Sequence, residues 1–277
     1  MNATTLLRPR LALLACGALL SLSAHAHRPW LLPSATMADG PTPVVSVDAA
    51  ISEDLFEFDS FPLMLDTLRV TAPDGSAVAA DARVEARRRV TFDVKLTQPG
   101  TYRIAGVTDT AMASWKAGGE TRRWRGSPAA LAKEVPADAQ ELQVMRQLAR
   151  AETFVTNEAP SPLSTALTGE GLELVPLGNP TDLSVGDTTR FRMLLDGKPY
   201  ANADVTVIRG GNRYRYNMGE IALKTDAAGE FGVAWPEAGR YWLGVNHGAR
   251  GPGAAPPLGG APLRRESYSA TFEVLPK

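Results

Sequence analysis

The sequence predicts a mainly β fold: two consecutive β-sandwich domains, with one helix in the first. Three observations predict it. Short runs alternate apolar and polar residues at period two, as in Val90-Thr91-Phe92-Asp93-Val94, the pattern of a half-buried strand. Turn signals recur between such runs, among them Pro73-Asp74-Gly75, Pro99-Gly100 and Asp196-Gly197, where proline and glycine supply the backbone angles a reversal needs. The 21 prolines and 25 glycines are spread along the chain and work against long helices.

Residues 1–26 read as a secretory signal peptide. Arg8 and Arg10 give the positive start, residues 11–22 the short apolar run, and Ala24-His25-Ala26 a small-residue cleavage box. The apolar run is shorter than the ~20 residues that span a bilayer, so no membrane span is expected once the leader is removed. Cutting after Ala26 exposes His27; cutting after Ala24 would leave His25-Ala26-His27. Leu13-Leu14-Ala15-Cys16 also resembles a lipidation box, although Leu14 is bulky where a small residue is usual. The expected location is the periplasm, with a lipoprotein anchored through Cys16 as the alternative.

Removing the leader takes away two arginines and no acids, so 29 basic and 30 acidic residues become 27 and 30, net −3. A nucleic-acid partner would need a basic face with interleaved aromatics, and this balance argues against one. The one cysteine, Cys16, lies in the leader, which leaves no thiolate for a metal and no disulfide for the fold.

The first domain is expected over residues 27–160. Strands are read at 43–50, 68–71, 90–96 and 101–105, with turns at 72–75 and 98–100. Residues 137–150 break this rhythm: Leu142, Met145 and Leu148 recur at helical spacing, and the single helix is expected there. Residues 152–156 read as a further strand, and Glu158-Ala159-Pro160-Ser161-Pro162 as a linker. The second domain, 161–277, offers strands at 172–176, 188–195 and 241–245. Asp226 and Gly229 suit a tight turn, Phe231, Val233 and Trp235 form one alternating face, and residues 268–275 make a closing strand.

In that second half, Gly197-Lys198-Pro199, Ala203-Asp204-Val205-Thr206-Val207, Thr225-Asp226-Ala227-Ala228-Gly229-Glu230-Phe231 and Ala238-Gly239-Arg240-Tyr241 resemble the carboxypeptidase-regulatory-like and bacterial Ig-like sandwiches. The resemblance implies a seven-stranded module without catalytic activity of its own. Over the mature chain, His27-Arg28-Pro29-Trp30-Leu31-Leu32-Pro33-Ser34, residues 48–56, Thr153-Phe154-Val155-Thr156, residues 171–176 and Tyr241-Trp242-Leu243 resemble a family of exported bacterial proteins of unknown function. Its members often carry a nickel-uptake-transporter label. That implies copper or nickel as the cofactor or cargo, and a metal importer or outer-membrane receptor as the partner.

The residues themselves lead to the same chemistry. A processed His27 would offer its α-amine and its imidazole to one ion, which an internal histidine cannot do. The other mature histidine, His247, ends a strand before the loop 248–262, rich in glycine, proline and alanine. Meeting His27, it would complete a three-nitrogen set favouring copper. Asp48, Glu53, Asp54, Glu57 and Asp59 crowd twelve residues beside Phe56, Phe58 and Phe61, either an oxygen-rich shell or a solvated loop. The expected metal set is His27, His247, Asp54 and Asp59. A loop begun at Asp48 would put Glu53 sixth and Asp59 twelfth, whereas a calcium loop needs glycine and glutamate there. No Gly-x-Ser-x-Gly elbow, phosphate loop or His-Glu-x-x-His helix is present, so no enzyme activity is expected. The alternative function is a non-metal module that binds an envelope glycan or a protein. Trp115, Trp124, Tyr214 and Tyr216 would stack on sugars there, or simply be buried.

Overall fold

The computed structural model describes residues 27–163, 167–248 and 261–277. The expected leader, Cys16 and most of the 248–262 loop lie outside the described residues. In chain order the first half holds β1 (Arg28–Pro33), β2 (Met37–Ala38), β3 (Val44–Ser52), β4 (Phe61–Pro62), β5 (Thr67–Thr71), β6 (Ala77–Val78) and β7 (Ala80–Glu85). It continues with β8 (Val90–Lys95), β9 (Gly100–Ala117), β10 (Glu120–Gly126), the helix α1 (Pro128–Glu134) and β11 (Gln140–Asn157). The second half holds β12 (Leu172–Pro176), β13 (Leu183–Ser184), β14 (Thr188–Leu195), β15 (Lys198–Pro199), β16 (Asp204–Arg209) and β17 (Ile221–Lys224). It ends with β18 (Glu230–Ala234), β19 (Gly239–His247) and β20 (Leu263–Leu275).

The fold is mainly β, built as sheet on sheet. A five-stranded sheet runs β1-β3-β8-β7 with β4 on β3, and a four-stranded one runs β12-β14-β15 with β18 on β14. Between them lies an eleven-stranded sheet whose path is β17-β16-β19-β20-β11-β9-β5-β6. Its two faces bury different cores. On β11, Ala151 and Val155 pack with the five-stranded sheet, while Phe154 packs with Phe191, Trp235 and Phe272 of the second half. The position near residue 160 therefore divides neither the sheet nor the packing: Phe154 joins the second core, and Trp30, Ala50 and Leu55 pack with Ile208 and Trp242 in a third buried cluster drawn from both halves. β11 pairs antiparallel with β9 on one edge and parallel with β20 on the other.

The expected helix at 137–150 is a strand: β11 covers most of it, and the helix sits one element earlier, at Pro128–Glu134. The physical reason is local: over 140–147 β11 is exposed or half-buried, and its ladder shifts register between Gln140 and Gln143, so no one face there keeps an apolar period of two. Leu142 and Met145 in that stretch, with Leu148, matched a helical stripe by spacing alone. The real helix has Ser127 at its N-cap position, Pro128 in its first turn and no buried residue. It is set by local signals rather than by an apolar face.

Both halves carry the same corner. In Gln98-Pro99-Gly100-Thr101-Tyr102 and Glu237-Ala238-Gly239-Arg240-Tyr241, the tyrosine hydroxyl donates to the carbonyl four residues back, at 3.1 and 2.8 Å. The intervening glycines sit at φ 120° and 140°, where a side chain would be strained. This is the tyrosine corner of Ig-type sandwiches, and each copy opens a strand of the shared sheet.

Candidate metal centre

β1 anchors the start of the described chain. Trp30 is fully buried, its indole donating to Ser52 Oγ at 2.8 Å. Trp242 of β19 donates to the Pro29 carbonyl at 2.9 Å, and the Arg28 guanidinium lies 5.8 Å from the Trp242 ring centre. His27, just ahead of these anchors, keeps an exposed imidazole. Its Nε2 is 3.7 Å from Glu53 Oε1, and its ring lies 5.6 Å from that of Phe61. The β1–β3 ladder explains the meeting: it pairs Arg28 with Ser52, so its next step outward brings His27 opposite Glu53.

Asp54 and Asp59 of the acidic loop are taken up by hydrogen bonds. Asp59 accepts the backbone N–H groups of Glu53 at 3.2 Å and Asp54 at 2.9 Å, and the Ser60 hydroxyl at 2.6 Å. Burial works against its ionisation, but these hydrogen bonds, with His27 nearby, outweigh that and hold it below the usual carboxylate range. Asp54 accepts from Asn212 Nδ2 at 3.2 Å, while Asn212 Oδ1 accepts the Leu55 N–H at 2.9 Å. Asp54 and Asp59 thus fasten the loop, and Glu53, outside the expected set, is the carboxylate beside His27.

His247 does not join them. Successive residues of a strand face opposite ways. Asn246 lines the groove that begins at His27, while His247 follows Val245 to the second core's side of the sheet. Its Nδ1 lies 3.0 Å from the Tyr200 hydroxyl, the rings edge to face. The expected His27–His247 pair is not formed, because β19 places the two on opposite faces. Among the described residues, no group of three or more His, Cys, Asp or Glu side chains is placed to hold an ion. Side chains alone bring two donors together, the His27 imidazole and the Glu53 carboxylate.

A second polar centre lies in the interior, and the sequence reading missed it. Glu152, fully buried on β11, faces Arg103 at 3.6 Å and Arg150 at 3.5 Å, and accepts the Tyr268 hydroxyl at 2.7 Å. Burial, and then Glu152, push the Tyr268 phenol well up, which keeps it a donor. Arg150 also meets Glu173 at 3.5 Å, and Glu173 accepts the backbone N–H groups of Thr168 and Gly169, each at 2.8 Å. The available signal was Arg150-Ala151-Glu152, charges inside an otherwise apolar strand. Near His247, Arg264 grips Asp196 with two bonds of 2.6 Å and so lowers its carboxyl to about 2. Glu266, beside Arg264, is almost fully buried, and that burial raises its carboxyl. Tyr214 and Tyr216 are exposed, and Trp124 donates to Glu134 at 2.8 Å.

No curated protein matches the chain. Among solved structures, the D0-D1 domain of intimin is 11% identical, covering 88% of this chain and 97% of its own, with a TM-score of 0.23. Escherichia coli alpha-2-macroglobulin activated by porcine elastase is 13% identical over 90% of this chain and 20% of its own, with a TM-score of 0.24. The ICAM-5 D1-D4 ectodomain fragment is 12% identical over 90% of this chain and 51% of its own, with a TM-score of 0.22. At these scores the likeness carries no functional argument. A family model matches over residues 24–249, covering the first core, the second core apart from β20, and His27: the chain belongs to the family described as a domain of unknown function, DUF4198.

Proposed function

We propose that the protein is exported, processed to begin at His27, and binds copper or nickel as an accessory to metal handling or uptake. The α-amine and imidazole of His27 supply two nitrogens and Glu53 an oxygen. The observation that carries this reading is the 3.7 Å approach of His27 Nε2 to Glu53 Oε1, on a strand pinned by the buried Trp30. The α-amine chelates together with Nδ1, the ring nitrogen next to the backbone, so the three-donor set forms when the exposed His27 side chain rotates to turn Nδ1 rather than Nε2 toward the neighbouring Glu53 carboxylate. A mixed nitrogen and oxygen set suits Cu(II) or Ni(II). The resemblance to exported proteins with a nickel-uptake label supports the same reading, with a metal importer or outer-membrane receptor as the recipient. The second half, with its regulatory-type sandwich features, then serves as scaffold rather than catalyst.

Calorimetry with Cu(II) and Ni(II) tests it on two forms of the protein, one starting at His27 and one carrying an extra residue before it. The extra residue turns the amine into an amide, so tight binding is expected only in the first form. Equal affinity in both would remove the terminal amine from the site. Absence of binding in both would favour the second reading, a module that binds a non-metal ligand in the groove of about 550 Å³ running from His27 past Asn246 to Ser269.

A further inference from the structure

The groove beside His27 has features that a bare-ion site does not need. Its volume of about 550 Å³ falls in the range that holds small organic molecules, roughly 300–1,000 Å³. Arg28 and Arg125 face it against one acid, Glu220, which lies 3.7 Å from Arg28. Those side chains alone leave a positive excess, and a processed His27 amine would add to it. On the floor, Ser269 is 2% exposed and its hydroxyl has no hydrogen-bond partner. A buried polar atom left unpaired costs stability and calls for an explanation; an oxygen ligand arriving in the groove would supply the missing partner.

Resting on the metal reading above, we propose that the cargo is a metal chelate, with the groove holding a small carboxylate-bearing chelator such as an amino acid or hydroxycarboxylate. A site of two nitrogens and one carboxylate leaves coordination positions open, and His27 opens onto the groove. The chelator fills those positions with its own nitrogen and oxygen donors. Its carboxylate meets Arg28, the charge-assisted pairing that a guanidinium favours, and its remaining polar atoms reach Ser269.

The test is equilibrium dialysis of the protein starting at His27 with Cu(II) and radiolabelled L-histidine, and with radiolabelled citrate in a separate arm. About one labelled chelator per protein is expected in at least one arm, only when Cu(II) is present. Arg28→Gln and Ser269→Ala, their folds checked by circular dichroism, are expected to lower that retention at least tenfold. Copper retained in both arms with neither labelled chelator bound beside it overturns this inference and leaves the metal reading standing. Retention of chelator without metal, or unchanged retention in both variants, also overturns it. Retention of neither copper nor chelator overturns both.

Discussion

Glu53 stands in a run with Asp54, Glu57 and Asp59, and nothing local distinguishes the four. What selects it is register: the β1–β3 ladder ends on Arg28 and Ser52, and one step outward sits His27 against Glu53. Asp59 is meanwhile taken by the loop backbone and Asp54 by Asn212, 158 residues beyond it. His27 could therefore be singled out from the sequence, while its neighbour depended on a pairing between separate strands. Glu53→Gln is expected to weaken Cu(II) binding roughly ten- to a hundredfold, the range typical of perturbing a metal site. His247→Ala is expected to leave it unchanged, because His247 belongs to Tyr200. A loss of affinity in His247→Ala comparable to that in Glu53→Gln, measured by calorimetry, would return His247 to the site. Glu266 gives a residue-scale prediction about pH. Burial raises its carboxyl above the unfolded value of about 4.3. Its contribution to stability is thus fully present below that value and is lost as pH rises through the folded one. As pH rises above about 4.3, urea unfolding of Glu266→Gln should not show this loss. Identical pH dependence in the two proteins would contradict it.

β11 shows why some elements could be read and others could not. Strands with one face in a core, such as Thr188–Leu195 with its alternating burial, announce themselves by period two. β11 serves the first core with Ala151 and Val155, the second with Phe154, and buries Arg150 and Glu152 between. That pattern matches no single template. The two charges it hides, Arg150 and Glu152, are held because β9, β12 and β20 each contribute one partner: Arg103, Glu173 and Tyr268. Removing one partner of a buried ion pair leaves the others uncompensated, at a cost of about 3–5 kcal/mol. Glu152→Ala, leaving Arg103 without its carboxylate and Arg150 with Glu173 alone, is expected to destabilise by an amount of this order in urea unfolding. A loss near that of an exposed ion pair, roughly 0–1 kcal/mol, would mean that water reaches the network.

At the scale of the molecule, the question is whether the two halves can live apart. Turn spacing and strand signals gave the sheet-on-sheet class, while buried clusters run across the linker-like 158–162 segment, through Phe154 and through Trp30 with Ile208 and Trp242. The shared sheet was not legible, because the ladder from Met145–Leu263 to Thr153–Thr271 joins segments far apart in sequence and carries no local signature. Its consequence is physical. Residues 161–277 alone would leave the β20 edge unpaired and remove Phe154 from the second core. An exposed edge with open hydrogen-bonding groups pairs with whatever strand it meets. The fragment 161–277 produced alone is therefore expected to self-associate in size-exclusion chromatography, and to unfold without a sharp transition. Produced together with 27–160, it is expected to elute as one complex with cooperative urea unfolding, since the parallel β11–β20 seam can form between separate chains. A monomeric 161–277 that unfolds cooperatively, with a midpoint unmoved by 27–160, would show that the seam joins two self-sufficient domains and adds little to either.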